Sequence, residues 1–111
     1  MSGIDIDAVA SQAAQAIVRS AARTGKDLVS YAQAEAKKLA TSAAEIATLR
    51  VAGQIDDDDA KFQLDIQVQA SRAVLAGIEG MSMLGAEEAI NAGLSVIGKA
   101  IQAATGLALF A

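Results

Sequence analysis

The chain has 111 residues, the size of one domain, and 27 of its apolar residues are alanine, so only 32 larger apolar side chains can fill a core. Cysteine, histidine, proline and tryptophan are absent, which excludes a disulfide framework, a zinc site built from cysteine or histidine, and catalysis by a cysteine nucleophile or an imidazole base. The net charge of −4 predicts no general attraction to nucleic acid or anionic lipid.

The first predicted element covers residues 5–50 and is rich in strong helix formers. Large apolar residues recur every eleven positions, at Ile17, Leu28 and Leu39, which matches three helical turns. Gly25 is the weak point of this stretch, because a glycine followed by a capping residue is a common helix end. The segment is predicted to be either one long helix or two helices of about 20 residues, broken at Gly25.

The next predicted helix boundary is marked more clearly. Gly53 is a predicted helix stop, and Asp56 is the predicted N-cap of the next helix, over residues 57–79. Ile55 is expected to pack back on the first turn as a hydrophobic staple. Three further aspartates lie in that turn, where carboxylates stabilise the helix dipole.

The helix over residues 57–79 is predicted to be apolar on two faces. One face is made of the positions Leu64, Val68, Ser71, Leu75 and Ile78. The second face is made of the positions Phe62, Ile66, Ala70, Ala73 and Gly77. Two apolar faces need neighbours on two sides, which a lone helical hairpin does not provide.

The last helix is predicted from Ala86 to Thr105 or beyond, after a short turn between Gly80 and Gly85. Its apolar stripe has spacings of three and four residues and comprises Ile90, Leu94, Ile97, Ile101, Ala104 and Ala108. We interpret this stripe as core, with contact to a membrane as the alternative. Leu94, Ile97 and Ile101 are also named as candidate contacts between subunits.

The final five residues are wholly apolar. Leu107, Leu109 and Phe110 do not all face one side of a single helix, and terminal residues usually fray unless something holds them. We therefore expect this tail to contact a neighbouring subunit.

These elements predict an all-α fold, an antiparallel helical bundle of three to four helices in one alanine-rich domain over residues 1–111. Charge is segregated along it: residues 8–55 sum to +3 and residues 56–88 sum to −6. Opposite signs favour contact between the two halves, within one chain or between chains.

No catalytic, cofactor-binding or metal-binding residue is proposed. A di-metal site of the ferritin type uses paired glutamate and histidine ligands, and histidine is absent. No glycine-rich phosphate loop is present, and three aromatic residues are too few for stacking on nucleic acid bases. We therefore expect a protein that is not an enzyme and uses no cofactor.

The function expected first is self-assembly, as the subunit of a homo-oligomeric ring, filament or particle whose partner is the chain itself. The alternative is a membrane-active protein whose C-terminal helices insert into a bilayer or line a pore. A third interpretation is a small helical adaptor or inhibitor of a protein partner. The N-terminus does not resemble a signal peptide, so the cytoplasm is the default location, with membrane or particle association as alternatives.

Overall fold

Four helices make up the part of the chain that the structure describes. The computed structural model describes residues 5–22, 29–78 and 81–106. The helices are α1 (Ile6–Ala22), α2 (Val29–Val51), α3 (Asp57–Ala76) and α4 (Met83–Thr105). They pack against one another, and these ranges contain no strand, so the prediction of an all-α helical bundle is confirmed.

The helices follow one another around the bundle. Helix α1 packs on α2 and α4, α3 packs on the same two helices, and α2 also touches α4. Across the described residues α1 and α3 do not meet, so these two helices occupy opposite corners. The long dimension of 43 Å is close to one helix length, about 35 Å for 23 residues, so the helices lie along it.

The N-terminal segment forms two helices. Because α1 packs alongside α2, residues 5–50 do not form one continuous helix. The two-helix alternative therefore describes this part of the chain, while Gly25 itself lies outside the described residues.

Gly53 ends α2 as predicted. Its φ of 75° is left-handed, a conformation that glycine adopts without steric cost. Its N–H donates to the carbonyl of Arg50 at 3.1 Å, and the N–H of Gln54 donates to the carbonyl of Leu49 at 3.0 Å. This pair of bonds is the Schellman motif, which satisfies carbonyls left open at a helix end.

Asp56 caps α3 as predicted. Its carboxylate accepts a hydrogen bond from the N–H of Asp59 at 2.8 Å. The carboxylate of Asp59 accepts in return from the N–H of Asp56 at 3.4 Å, which completes a capping box. Helix α3 ends at Ala76, short of the predicted residue 79, because Gly77 takes the C-cap position.

Helix α4 begins earlier than predicted, at Met83 and not at Ala86. The hydroxyl of Ser82 accepts a hydrogen bond from the N–H of Gly85 at 2.9 Å and so acts as the N-cap. Gly85 therefore lies within the first turn of the helix, and both the end of α3 and the start of α4 lie three residues earlier than predicted. At the other end Gly106 is left-handed, with φ 79°.

Alanine dominates the core. Of the 24 buried apolar residues in the described ranges, 13 are alanine, and most of these lie on α1 and α2. The largest fully buried apolar side chains are Ile17, Leu39, Leu75, Ile90, Ile97 and Ile101. Small side chains let helix axes approach closely, and Gly93 of α4 lies against Ile17 of α1 with no room for a β-carbon between them.

Four residues of the α4 stripe, Ile90, Leu94, Ile97 and Ile101, belong to this core. Leu94, Ile97 and Ile101 are 9%, 0% and 1% exposed within a single chain, so these candidate subunit contacts leave almost no side-chain surface for a second copy. The apolar tail expected to contact a neighbour, with Leu107, Leu109 and Phe110, lies outside the described residues.

Candidate interaction surface

A row of apolar residues on α3 faces solvent. Phe62 is 69% exposed and Ile66 is 57% exposed, and Ala70 and Ala73 are exposed as well. At 3.6 residues per turn these four positions fall within an arc of about 80° along one side of the helix. We call these four residues the outer face of α3.

The outer face lies directly opposite the buried side of the same helix. The buried side consists of Ala60, Leu64, Val68, Ser71 and Leu75. Of the two apolar faces predicted for this helix, the chain therefore covers one. Within the described residues, nothing packs over the other.

Polar contacts on both flanks fix the rotation of α3. Toward α2, the amide of Gln67 donates to Ser71 Oγ at 3.3 Å and accepts from Ser42 Oγ at 3.5 Å. Toward α4, Arg72 Nη2 donates to Asn91 Oδ1 at 2.8 Å. The bonds from Ser42 to Gln67 and from Arg72 to Asn91 join α3 to its two neighbours, and they hold Phe62 and Ile66 on the solvent side.

Exposure of Phe62 is notable in a protein whose core is mostly alanine. It is the one phenylalanine of the described residues, and it lies outside the bundle. Removing a large apolar side chain from water stabilises by about 1.5–3 kcal/mol. A clustered apolar surface of this kind is typical of a protein contact, whereas scattered exposed residues need no explanation.

Acidic residues border the outer face on the side toward α4. Asp58 and Asp65 are exposed there, and Asp65 accepts a hydrogen bond from Gln69 at 3.4 Å. We call Asp58 and Asp65 the acidic edge. Neither forms an ion pair with another residue of the described ranges, so both negative charges are available to a partner.

The α1–α2 groove lies on the other side of the molecule and has a volume of about 600 Å³. Its floor is apolar and includes Ala10, Ala14 and Val18. Arg19 and Lys37 stand on its rim and are exposed. The groove thus combines an apolar floor with two cationic side chains.

The two rim cations differ in their partners. Lys37 forms an ion pair with Asp7, and the hydrogen bond from Lys37 to the Asp7 carboxylate lowers the pKa of Asp7. Arg19 has no ion-pair partner among residues 5–22, 29–78 and 81–106. One positive charge at the groove is therefore free to meet an acid from outside.

Among the residues that the structure describes, one carboxylate is buried in the bundle. Glu35 of α2 is 3% exposed, and Lys38 Nζ lies 3.1 Å from its Oε2. One carboxylate with one lysine does not make a catalytic pair. In the part of the chain that the structure describes, no three metal-ligating side chains come together.

None of the four helices in the described part of the chain combines the length and the apolar composition that a bilayer crossing requires.

The sequence indicated the α3 surface only in part. The positions Phe62 and Ile66 were recognised as a second apolar face that needs a neighbour, yet they were not named as contact residues. The sequence pattern did not predict the α1–α2 groove. Its lining residues come from two helices and lie about twenty positions apart in the chain, so no local pattern brings them together. No family model, curated protein or solved structure matches this chain.

Proposed function

We propose that the protein is a non-enzymatic, self-assembling helical subunit that binds further copies of itself through the outer face of α3. Its role would be structural, in a homo-oligomeric ring, filament or particle. This function needs no bound cofactor, because the contact is made by side chains alone.

One observation carries the proposal: Phe62 and Ile66 stand in solvent on a helix whose rotation is fixed, while alanine fills the core. Burying the exposed parts of these two side chains in an interface would add about 2–4 kcal/mol of apolar transfer free energy before the cost of association is subtracted. The exposed row is also the arrangement that helical recognition uses, with anchors spaced by three and four residues along one face.

The test is the mass of the protein in solution, measured by light scattering. The double variant Phe62→Gln/Ile66→Gln removes both apolar anchors, keeps good helix formers and leaves the charge unchanged. Met83→Gln/Leu84→Gln is the matched control, because it also removes two exposed apolar residues, from the start of α4. We expect the first variant to be monomeric and the control to keep the wild-type mass.

Equal assembly of both variants would contradict the role of the outer face. A wild-type protein that is monomeric at every concentration would contradict self-assembly itself and would favour the adaptor interpretation. Flotation of the wild-type protein with lipid vesicles, lost in the α3 variant, would favour the membrane alternative instead.

The apolar tail is proposed as an additional contact with a neighbouring subunit, one that strengthens the α3 contact but does not hold two copies together without it. Deleting residues 107–111 tests this part separately. A lower mass with unchanged helicity would support a role for Leu107, Leu109 and Phe110. An unchanged mass would remove the tail from the proposal and leave the role of α3 standing.

A further inference from the structure

We infer that assembly is head-to-tail: the outer face of α3 of one copy docks in the α1–α2 groove of the next copy. This inference rests on the proposed self-assembly and specifies its geometry. The two surfaces belong to the same chain but are different, so each copy offers one donor and one acceptor.

The positions of the helices support this arrangement. Helices α1 and α3 occupy opposite corners of the bundle, and the outer face of α3 points away from the core. Donor and acceptor therefore lie on opposite sides of the molecule. Contact between two different surfaces of this kind is heterologous and generates a ring if the rotation closes or a filament if it does not.

Charge selects the acceptor. The acidic edge of the donor carries Asp58 and Asp65, which form no ion pair within the described residues. The acceptor carries Arg19 and Lys37 on its rim. Opposite charges across the interface favour this pairing, whereas two α3 faces brought together would place acid next to acid.

The shapes of the two surfaces also favour the α1–α2 groove as the acceptor. The apolar residues of α3 stand on a convex helix surface, which buries more area in a groove than against a second convex helix. A second groove lies on the other side of α1, between α1 and α4, but Glu88 lines it and its apolar lining residues, Ala16 and Ala92, are small. The α1–α2 groove also contains an acid, Asp7, but Lys37 pairs with it, whereas Glu88 forms no ion pair within the described residues and would repel the acidic edge of α3. The α1–α2 groove is therefore the better acceptor.

The test uses two variants, each with one surface disabled. Phe62→Gln/Ile66→Gln removes the donor and leaves the groove intact. Arg19→Glu/Lys37→Glu reverses the groove charges and leaves α3 intact. Gln54→Glu/Lys99→Glu/Gln102→Glu makes the same change of net charge at exposed positions outside both surfaces and is the control. Circular dichroism confirms that each variant is folded, and light scattering gives the masses of the variants alone and of a 1:1 mixture.

Head-to-tail assembly predicts that each disabled variant alone is monomeric and that the mixture forms a heterodimer of twice the chain mass. The heterodimer does not grow further, because only one intact donor and one intact acceptor meet. The control should assemble as the wild type does.

Two outcomes would overturn the inference. If the groove variant assembles as the wild type does, α3 pairs with α3, and self-assembly stands without the groove. If both variants are monomeric and their mixture stays monomeric, the two surfaces are not complementary. A monomeric wild-type protein would instead defeat the proposed function itself, so the two failures are distinguishable.

Discussion

A β-carbon placed on Gly93 of α4 would stand 2.9 Å from both Cγ1 and Cδ1 of Ile17 on α1. Ile17 is fully buried, and its branched side chain has little rotational freedom in a helix. Glycine at position 93 therefore sets how closely α1 and α4 approach. This contact explains a glycine in the interior of a helix, where it costs about 1 kcal/mol relative to alanine.

We predict that Gly93→Ala destabilises the bundle by about 1 kcal/mol, because overpacking of about 1–3 kcal/mol outweighs the gain in helix propensity. In an Ile17→Ala background the same change should be neutral or stabilising. Urea denaturation of the four proteins of this cycle measures both effects. Gly77→Ala is the control, since Gly77 has a helical φ of −77° and a β-carbon there makes only ordinary contacts. A stabilising Gly93→Ala in the wild-type background would contradict this account.

Loss of the α3 cap should be measurable. Asp56→Ala removes the acceptor for the N–H of Asp59, while the backbone N–H at position 56 can still donate to the Asp59 carboxylate. We expect a loss of about 1 kcal/mol in the free energy of unfolding, measured by urea denaturation. Asp56→Ser keeps an oxygen at the cap and should restore most of the stability. If the two variants are equally unstable, the cap is not the reason.

Replacing Gly53 by a residue with a side chain should destabilise the protein. With φ 75° and no heavy atom within 4 Å of an added β-carbon, the cost of a side chain there is conformational and not steric crowding by neighbours. Gly53→Ala should destabilise by about 1–2 kcal/mol. Gly53→Asn should cost less, because asparagine visits the left-handed region more readily. Thermal melts of the two variants compare them, and a neutral alanine variant would argue against the Schellman ending of α2.

Lowering the pH should weaken the ion pairs of Arg50 with Asp57 and of Lys37 with Asp7. The hydrogen bond from Arg50 to Asp57, at 2.7 Å, lowers the pKa of Asp57, and Lys37 lowers the pKa of Asp7. A carboxyl whose pKa is lowered on folding contributes stability above its unfolded pKa, about 3.9, and loses it as the pH falls through the folded value.

The variant Asp7→Asn/Asp57→Asn should therefore be less stable than the wild type at pH 7 and approach it as the pH falls below about 4. Urea midpoints measured from pH 7 to pH 2 test this. Both groups are exposed, so the effect should be small and should shrink in high salt. A constant difference between the two proteins through the acid range would contradict the assignment.

The sequence alone was sufficient to predict the all-α fold class and two helix boundaries, the end of α2 at Gly53 and the N-cap of α3 at Asp56. Gly53 and Asp56 are local signals, because a left-handed glycine and a capping carboxylate act on the backbone within a few residues of themselves. The start of α4 was misplaced because Gly85 looked like the end of a turn, whereas the Ser82 cap three residues earlier lets the helix begin at Met83. The capping serine and the nearby glycine indicate different starts for α4, and the hydrogen bond from the Gly85 N–H to Ser82 Oγ shows which start the helix uses.

Which apolar stripe remains exposed could not be predicted from periodicity. The α4 stripe with Ile97 and the α3 stripe with Phe62 and Ile66 are similar as patterns, yet the first is buried and the second is exposed. The difference depends on how each helix is rotated against its neighbours. For α3 that rotation is fixed by contacts between distant residues, such as Ser42 with Gln67, which no local pattern reveals.

The central claim is tested most directly by light-scattering mass as a function of protein concentration. The account predicts a mass above the chain mass of 11.2 kDa that rises with concentration, and a return to that mass in Phe62→Gln/Ile66→Gln. A wild-type mass that stays at 11.2 kDa across the whole concentration range would contradict it.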